Sequence, residues 1–230
     1  MNIMSLLNAL PGAVAQGLIW GLMAIGVFIT FKVLDLADLT VDGTMATGGA
    51  VCIVMMTHGA NVWVAMLCAF LAGMLAGLIT GILHTCMGIP AILAGILTQL
   101  ALYSINLKIM GRANQAISVM NYDLLVSLRN VKNVPFYQNS IFVVAIFCIV
   151  IIGVLYWFFG TELGCSLRAT GCNPNMSRAQ GINTNFNIVL GLMISNGLVA
   201  LASALCSQYQ GFADINMGRG AIVIGLAAVI

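Results

Sequence analysis

The chain runs from Asn61 to Leu83 without one charged side chain, and within that stretch Ala65, Ala69, Gly73, Gly77 and Gly81 recur at every fourth position. A helix of that length reaches about 30 Å, the thickness of a bilayer's hydrocarbon core. Residues four apart lie on one helix face, so the small side chains form a smooth ridge, the device by which helices approach closely in lipid. Such a segment needs either lipid or a very large protein interior around it. Composition decides between them: 61% of the residues are hydrophobic and 6% charged, against about 25% charged in a soluble domain. The fold class is therefore an all-α polytopic membrane protein, forming a single membrane domain over residues 1–230.

Hydropathy and breaker residues divide the chain into about six complete spans and a truncated seventh. The first covers roughly residues 6–31, with Pro11 early enough to be tolerated and Gly17 and Gly21 as a small-xxx-small pair. No basic residue precedes it, so it reads as a retained helix rather than a signal peptide. The apolar stretch 44–56 reaches only about 20 Å. Two readings stay open there: a helix that starts earlier and takes Asp42 into the membrane, or a half-span lining a cavity. Further spans are expected over about 61–83, 87–109, 140–159 and 188–206, the fifth ending in the interfacial aromatics Tyr156, Trp157, Phe158 and Phe159. Short or broken helices are expected near 39–57 and 212–230. The last segment is still apolar at Ile230, and further C-terminal spans are expected. Residues 111–139, holding Arg112, Asp123, Arg129, Lys132 and Pro135, read as a loop outside the membrane. Asp42 before Gly48-Gly49 and Asp214 before Gly218-Arg219-Gly220 form a faint internal echo of the kind repeated transporter halves leave.

Several activities are disfavoured. The eight basic residues are scattered, so there is no nucleic-acid footprint. Seven cysteines at irregular spacing form no disulfide framework and read as small buried hydrophobes. His84 and Cys86 lack the further ligands a zinc site needs. No phosphate-binding loop G-x-x-x-x-G-K-[ST] occurs. No catalytic residue, metal site or cofactor is assigned, and no constellation in the sequence points to an enzyme.

Two groups of residues carry functional signals. Gln99, Tyr103 and Asn106 share one helix face. Polar groups there need partners that lipid does not offer, so they either line a solute route or bond neighbouring helices. Asp42 is a pathway candidate or a plain helix cap. Asn196, in mid-span, belongs to the route or to interhelical bonding. Asp35 and Asp38 read as solvated loop residues, and Asp214 with Arg219 as a local ion pair near the outer face. The second group is the polar loop 161–187. There Asn173 suits an N-cap, Pro174 the first helical position and Gly181 the left-handed C′ position, which brackets a helix over 174–180. So short a helix is unstable alone and must dock on something.

The run Leu167-Arg168-Ala169-Thr170-Gly171-Cys172-Asn173-Pro174 continuing to Asn183 resembles the coupling loop of ABC importer permeases of the branched-chain amino acid and ribose type. Their pattern is approximately A-x-G-x-N-x-x-x-A-R-x-x-G-I. Ala169, Gly171, Asn173, Gly181 and Ile182 match it, and Arg178-Ala179 falls near the Ala-Arg pair in reversed order. The segments 34–51 and 211–230 are similar to a subgroup linked to uptake of aromatic amino acids or similar solutes. The resemblance implies two permeases in a dimer, cytosolic ATPase subunits docked at Arg168, Gly171, Asn173, Pro174, Arg178 and Gly181, and an extracellular or periplasmic binding protein delivering solute. It also implies a bacterial plasma membrane location and alternating access. With the 161–187 loop in the cytosol, the N-terminus lies outside; Lys32, Arg168 and Arg178 are then inside, and Lys108, Arg112, Arg129 and Lys132 lie outside or at the outer boundary. The competing reading is a secondary transporter driven by an ion gradient, with Asp42 as its ionisable group.

Overall fold

A computed structural model describes residues 3–117, 124, 126 and 140–230. The elements in chain order are α1 (Ile3–Phe28), continued by a π-helical turn (Ile29–Val33), α2 (Thr40–Thr57), α3 (Val62–Thr85), α4 (Ala91–Met110), β1 (Asn114–Ala116), α5 (Ser140–Gly160), α6 (Glu162–Cys172), α7 (Pro174–Ala179), α8 (Thr184–Gln210), β2 (Phe212–Asp214) and α9 (Ala221–Val229). Among the described residues, five stretches are long and apolar enough to cross a membrane: Leu10–Val33, Val62–Thr85, Ala91–Met110, Ile141–Gly160 and Thr184–Gln210. They overlap the spans expected at 6–31, 61–83, 87–109, 140–159 and 188–206; the segments 39–57 and 212–230, expected to be short or broken, form α2, of 18 residues, and α9, of 9 residues. Of the polar segment 111–139, residues 111–117 leave α4 through Gly111 in the left-handed conformation and enter β1, which pairs antiparallel with β2. Asp123, Arg129, Lys132 and Pro135 lie outside the described residues.

At the centre is α8, with α1, α2 and α3 packed around it. The small-residue ridge of α3 is what lets it in: a side chain at Gly73 would strike the Asn196 carbonyl and Ala200, one at Gly77 the backbone of Leu192 and Met193, and one at Gly81 Val189. On α2, Gly48 meets the Ala200 backbone in the same way. The pair on α1 does not act so. Among the described residues no atom lies near enough to touch a methyl added at Gly17 or Gly21, and it is Gly26 that abuts Ser195 and Val199. By contrast, α5 is mostly exposed and rests along α1, with Cys148 donating to the Leu18 carbonyl at 3.7 Å and Phe147 stacked on Trp63.

The path between α1 and α2 sets the site. Tyr209 donates to the Gly12 carbonyl at 3.0 Å and Ser195 to the Gly26 carbonyl at 2.7 Å, so α1 descends antiparallel to α8. It ends in the π turn beside Gly171 and Gly191, at the end of the bundle that carries α6 and α7. Asp35 turns the chain at φ 54°, which an aspartate tolerates better than most residues. The connector 34–39 then runs back into the bundle without helical structure. Helix α2 begins there, its Thr44 bonded to Asn196 in the middle of α8. Irregular backbone at this depth is sustained only where protein surrounds it. Asp38 supplies part of that surrounding. Instead of lying in solvent, as its neighbourhood in sequence suggests, it is buried. It accepts from the Thr40 backbone N–H at 2.9 Å and from Asn196 Nδ2 at 2.7 Å, so the carboxylate satisfies the start of α2 and ties it to α8.

Candidate functional site

Asp42 resolves the two readings of its segment in an unforeseen way. Helix α2 does begin before it, and its carboxylate caps a different helix: it accepts from the backbone N–H groups of Gly220 at 3.3 Å and Ile222 at 3.0 Å, at the start of α9. The two segments of the internal echo thus meet, with Gly218 packed on the Asp42 carbonyl. Both helix N-termini, each with its partial positive charge, converge on one carboxylate. Asp214 plays no matching part, since it accepts from its own Asn216 N–H at 2.7 Å. Among the described residues it forms no ion pair with Arg219, whose side chain lies elsewhere.

Beside this junction is a cavity of about 360 Å³ lined by Asp42, Gly43, Ala46, Gln99, Leu100, Tyr103, Asn106, Ile215 and Arg219. The shared face of Gln99, Tyr103 and Asn106 therefore opens into it, opposite Asp42. Asn106 is 0% exposed, yet neither its Nδ2 nor its Oδ1 has a partner. Asn196 does not line this cavity. Its Oδ1 accepts from Thr44 at 2.9 Å and its Nδ2 donates to Asp38 and to the Leu192 carbonyl at 3.0 Å. Helix α2 stands between it and α4, because Gly43 packs on Gln99 and Leu102. A chain of hydroxyls, Thr40 to Thr80 at 2.8 Å and Thr80 to Thr98 at 2.9 Å, fastens the start of α2 to α3 and α4. Sequence reasoning missed Asp38, Thr40 and Arg219 as members of this region. The signal available was the density of acids in 35–42, read as loop polarity rather than as capping at depth.

The loop 161–187 is built as its residues dictate. Thr161 caps α6 by accepting from the Gly164 N–H, and Asn173 caps α7 by accepting from the Met176 N–H at 3.0 Å. Pro174 opens α7. Gly181, at φ +81°, ends it one residue earlier than the expected 174–180, with Ile182 N–H bonded back to the Ser177 carbonyl at 3.1 Å. Apart from Ser177, α7 is exposed, with Met176 at 63%. Its flanks are held firmly. Arg178 donates to Thr184 at 2.8 Å and Asn185 at 3.4 Å. Asn187 donates to Ser166 at 2.6 Å and Thr170 at 2.9 Å. Arg168 donates to the Phe159 carbonyl at 3.1 Å, at the end of α5. Gly171 faces inward, pressed on the Val33 carbonyl and Leu34. The coupling candidates thus divide: Asn173, Pro174 and Gly181 shape α7, Arg178 ties it to the start of α8, and Arg168 and Gly171, both on α6, fasten that neighbouring helix to the end of α5 and to the end of the π turn of α1.

A profile described as "Branched-chain amino acid transport system / permease component" matches residues 10–230. The chain belongs to this family. The match takes in the cavity, the short helices and the braced loop alike. Among relatives of this permease is the tyrosine transport system permease protein of Clostridioides difficile, 40% identical over 225 residues, which are 97% of this chain and 72% of the relative. An uncharacterized protein of Rickettsia prowazekii is 37% identical over 97% of this chain and 76% of its own length. The fructose import permease protein FruF of Bifidobacterium longum is 27% identical over 84% of this chain and 54% of its own. No solved structure matches. The permease is a multi-pass membrane protein of the ABC importer class, and the family gives no support to the ion-gradient reading.

Proposed function

We propose that this permease moves a small amino-acid-like solute across a bacterial inner membrane by alternating access. A separate cytosolic ATPase drives it at α7, a second permease copy completes the pathway, and an external binding protein delivers the solute. Hydrolysis belongs to the ATPase and not to this chain. The observation that carries the reading is the exposed, capped α7 and its rigid bracing. A six-residue helix has no stability of its own, so the structure spends caps and side-chain bonds on holding it outward. Force on α7 passes through Gly171 to the π turn and connector 34–39, and so to Asp38, Asn196 and the start of α2 beside the cavity. The cavity residues Asp42, Gln99, Tyr103 and Asn106 form the solute's route, with Asn196 supporting it from behind α2. The tyrosine permease relative favours an amino acid as cargo. The loop 161–187 is cytosolic in this arrangement and the β1–β2 ribbon external.

The test is ATP-dependent uptake of L-tyrosine into proteoliposomes holding permease, ATPase and binding protein. Uptake without the ATPase under an ion gradient, or an ATPase that binds equally well when α7 is deleted, refutes the proposal.

A further inference from the structure

Asn106 is the one residue among those described whose whole side-chain amide is buried without a partner. Other polar side chains at this depth found partners: Asn196 has three, and Thr40, Thr80 and Thr98 bond in series. A buried amide left wholly unpaired calls for a physical explanation, and Asn106 borders an open cavity where a ligand supplies one. Arg219 lines the same cavity, and among the described residues its guanidinium has no hydrogen-bond or ion-pair partner. Its planar fork of donors fits a carboxylate through two parallel bonds. Asp42 faces the cavity with each oxygen accepting one backbone N–H, and each oxygen keeps a second acceptor direction. Tyr103, Leu100 and Ile215 provide an aromatic and apolar wall.

We infer that this cavity is a recognition site for a zwitterionic solute with an apolar or aromatic body, Arg219 receiving its carboxylate and Asp42 with Asn106 Oδ1 its ammonium group. The inference rests on the importer reading and names the substrate class of that pathway. A neutral sugar has no use for the opposed charges. A simple cation meets Arg219, and a dicarboxylate meets Asp42. The volume lies within the range of small-molecule sites, about 300–1,000 Å³.

The experiment uses the full permease–ATPase complex in nanodiscs, without binding protein. Saturation-transfer NMR reads direct binding of L-tyrosine, L-phenylalanine and L-leucine, of tyramine and 3-(4-hydroxyphenyl)propionate, which lack one charge each, and of D-fructose. The amino acids bind, and each single-charge analogue binds about tenfold or more weakly, the loss of one charge-assisted contact. Arg219→Gln weakens the amino acids to the level of tyramine, and Arg219→Lys restores part of the loss. Asn106→Leu weakens binding about tenfold while the melting temperature holds or rises, because no protein hydrogen bond is removed. Failure of all three amino acids to bind, equal binding of tyramine, preference for D-fructose, or a lowered melting temperature in Asn106→Leu overturns the inference. ATP-dependent uptake, assayed in parallel, separates the two readings: uptake with binding indifferent to these substitutions removes the site and leaves the importer, whereas charge-dependent binding without uptake does the reverse.

Discussion

Replacing Asn196 with alanine tests whether the start of α2 is fastened at depth. The substitution removes the 2.7 Å bond to Asp38 and the 2.9 Å bond from Thr44. Thr44 keeps its backbone acceptors, Thr40 and Val41, so that loss is small. Asp38 keeps its contacts with Thr40 and stays buried. A hydrogen bond to a charged group contributes about 1.5–3 kcal/mol in soluble proteins. Pairs in membrane bundles average about 0.6 and reach about 1.7 kcal/mol, because the unfolded chain in lipid also finds partners. Burial of Asp38 places this pair at the upper end. Asn196→Ala is expected to cost about 2 kcal/mol in all, roughly thirtyfold in the unfolding constant. The double-mutant cycle with Asp38→Asn isolates a coupling of about 1–1.5 kcal/mol. Equilibrium unfolding of the purified permease in bicelles, run on the wild type, both single variants and the double variant, supplies the four values. Coupling below about 0.3 kcal/mol, the scatter of independent sites, would refute the burial of Asp38 at the head of α2.

Other substitutions probe separate links. Gly181→Val forces a β-branched residue into the left-handed region, where the penalty is about 1–2 kcal/mol or more. It should abolish uptake and the ATPase's response to loaded binding protein while membrane insertion persists, and full activity in reconstituted vesicles would contradict the coupling role of α7. Gly48→Ala drives a methyl into the Ala200 backbone and should cost about 1–3 kcal/mol by the same unfolding assay. Gly21→Ala touches nothing and should be neutral or stabilising by up to about 1 kcal/mol through helix propensity, so a clear loss would mean a contact has been missed. Asn187→Ala releases Ser166 and Thr170 and should lower stability by about 1 kcal/mol and loosen α6, seen as faster amide exchange in 162–172.

What sequence could and could not show follows from the range of each interaction. The ridge on α3 was legible because a four-residue repeat is local, and so were the caps of α7, since Asn173, Pro174 and Gly181 act within one turn of themselves. The cavity was partly legible: Gln99, Tyr103 and Asn106 share a face by helix geometry alone. Asp42 was a pathway candidate as an ionisable group in a membrane segment, but its place facing these residues was not legible, nor was Arg219, because both reach the cavity only after α2 and α9 have been brought together. Asp38 failed for the same reason. Three acids within eight residues look solvated, and nothing nearby says that the chain turns inward at Asp35. Gly17 and Gly21 satisfy a local pattern whose fulfilment depends on what lies opposite, and among the described residues nothing does.

The carboxylate of Asp42 holds backbone N–H groups that lie 178 and 180 residues further along the chain. During synthesis α2 is therefore made long before the segment it caps exists. Until then Asp42 and the head of α2 must wait beside α3 and α4 without the backbone groups that will bond that carboxylate. Seating of the 211–222 segment is thus a late event in biogenesis, and its arrival closes the junction that gives the cavity beside Asp42 its shape.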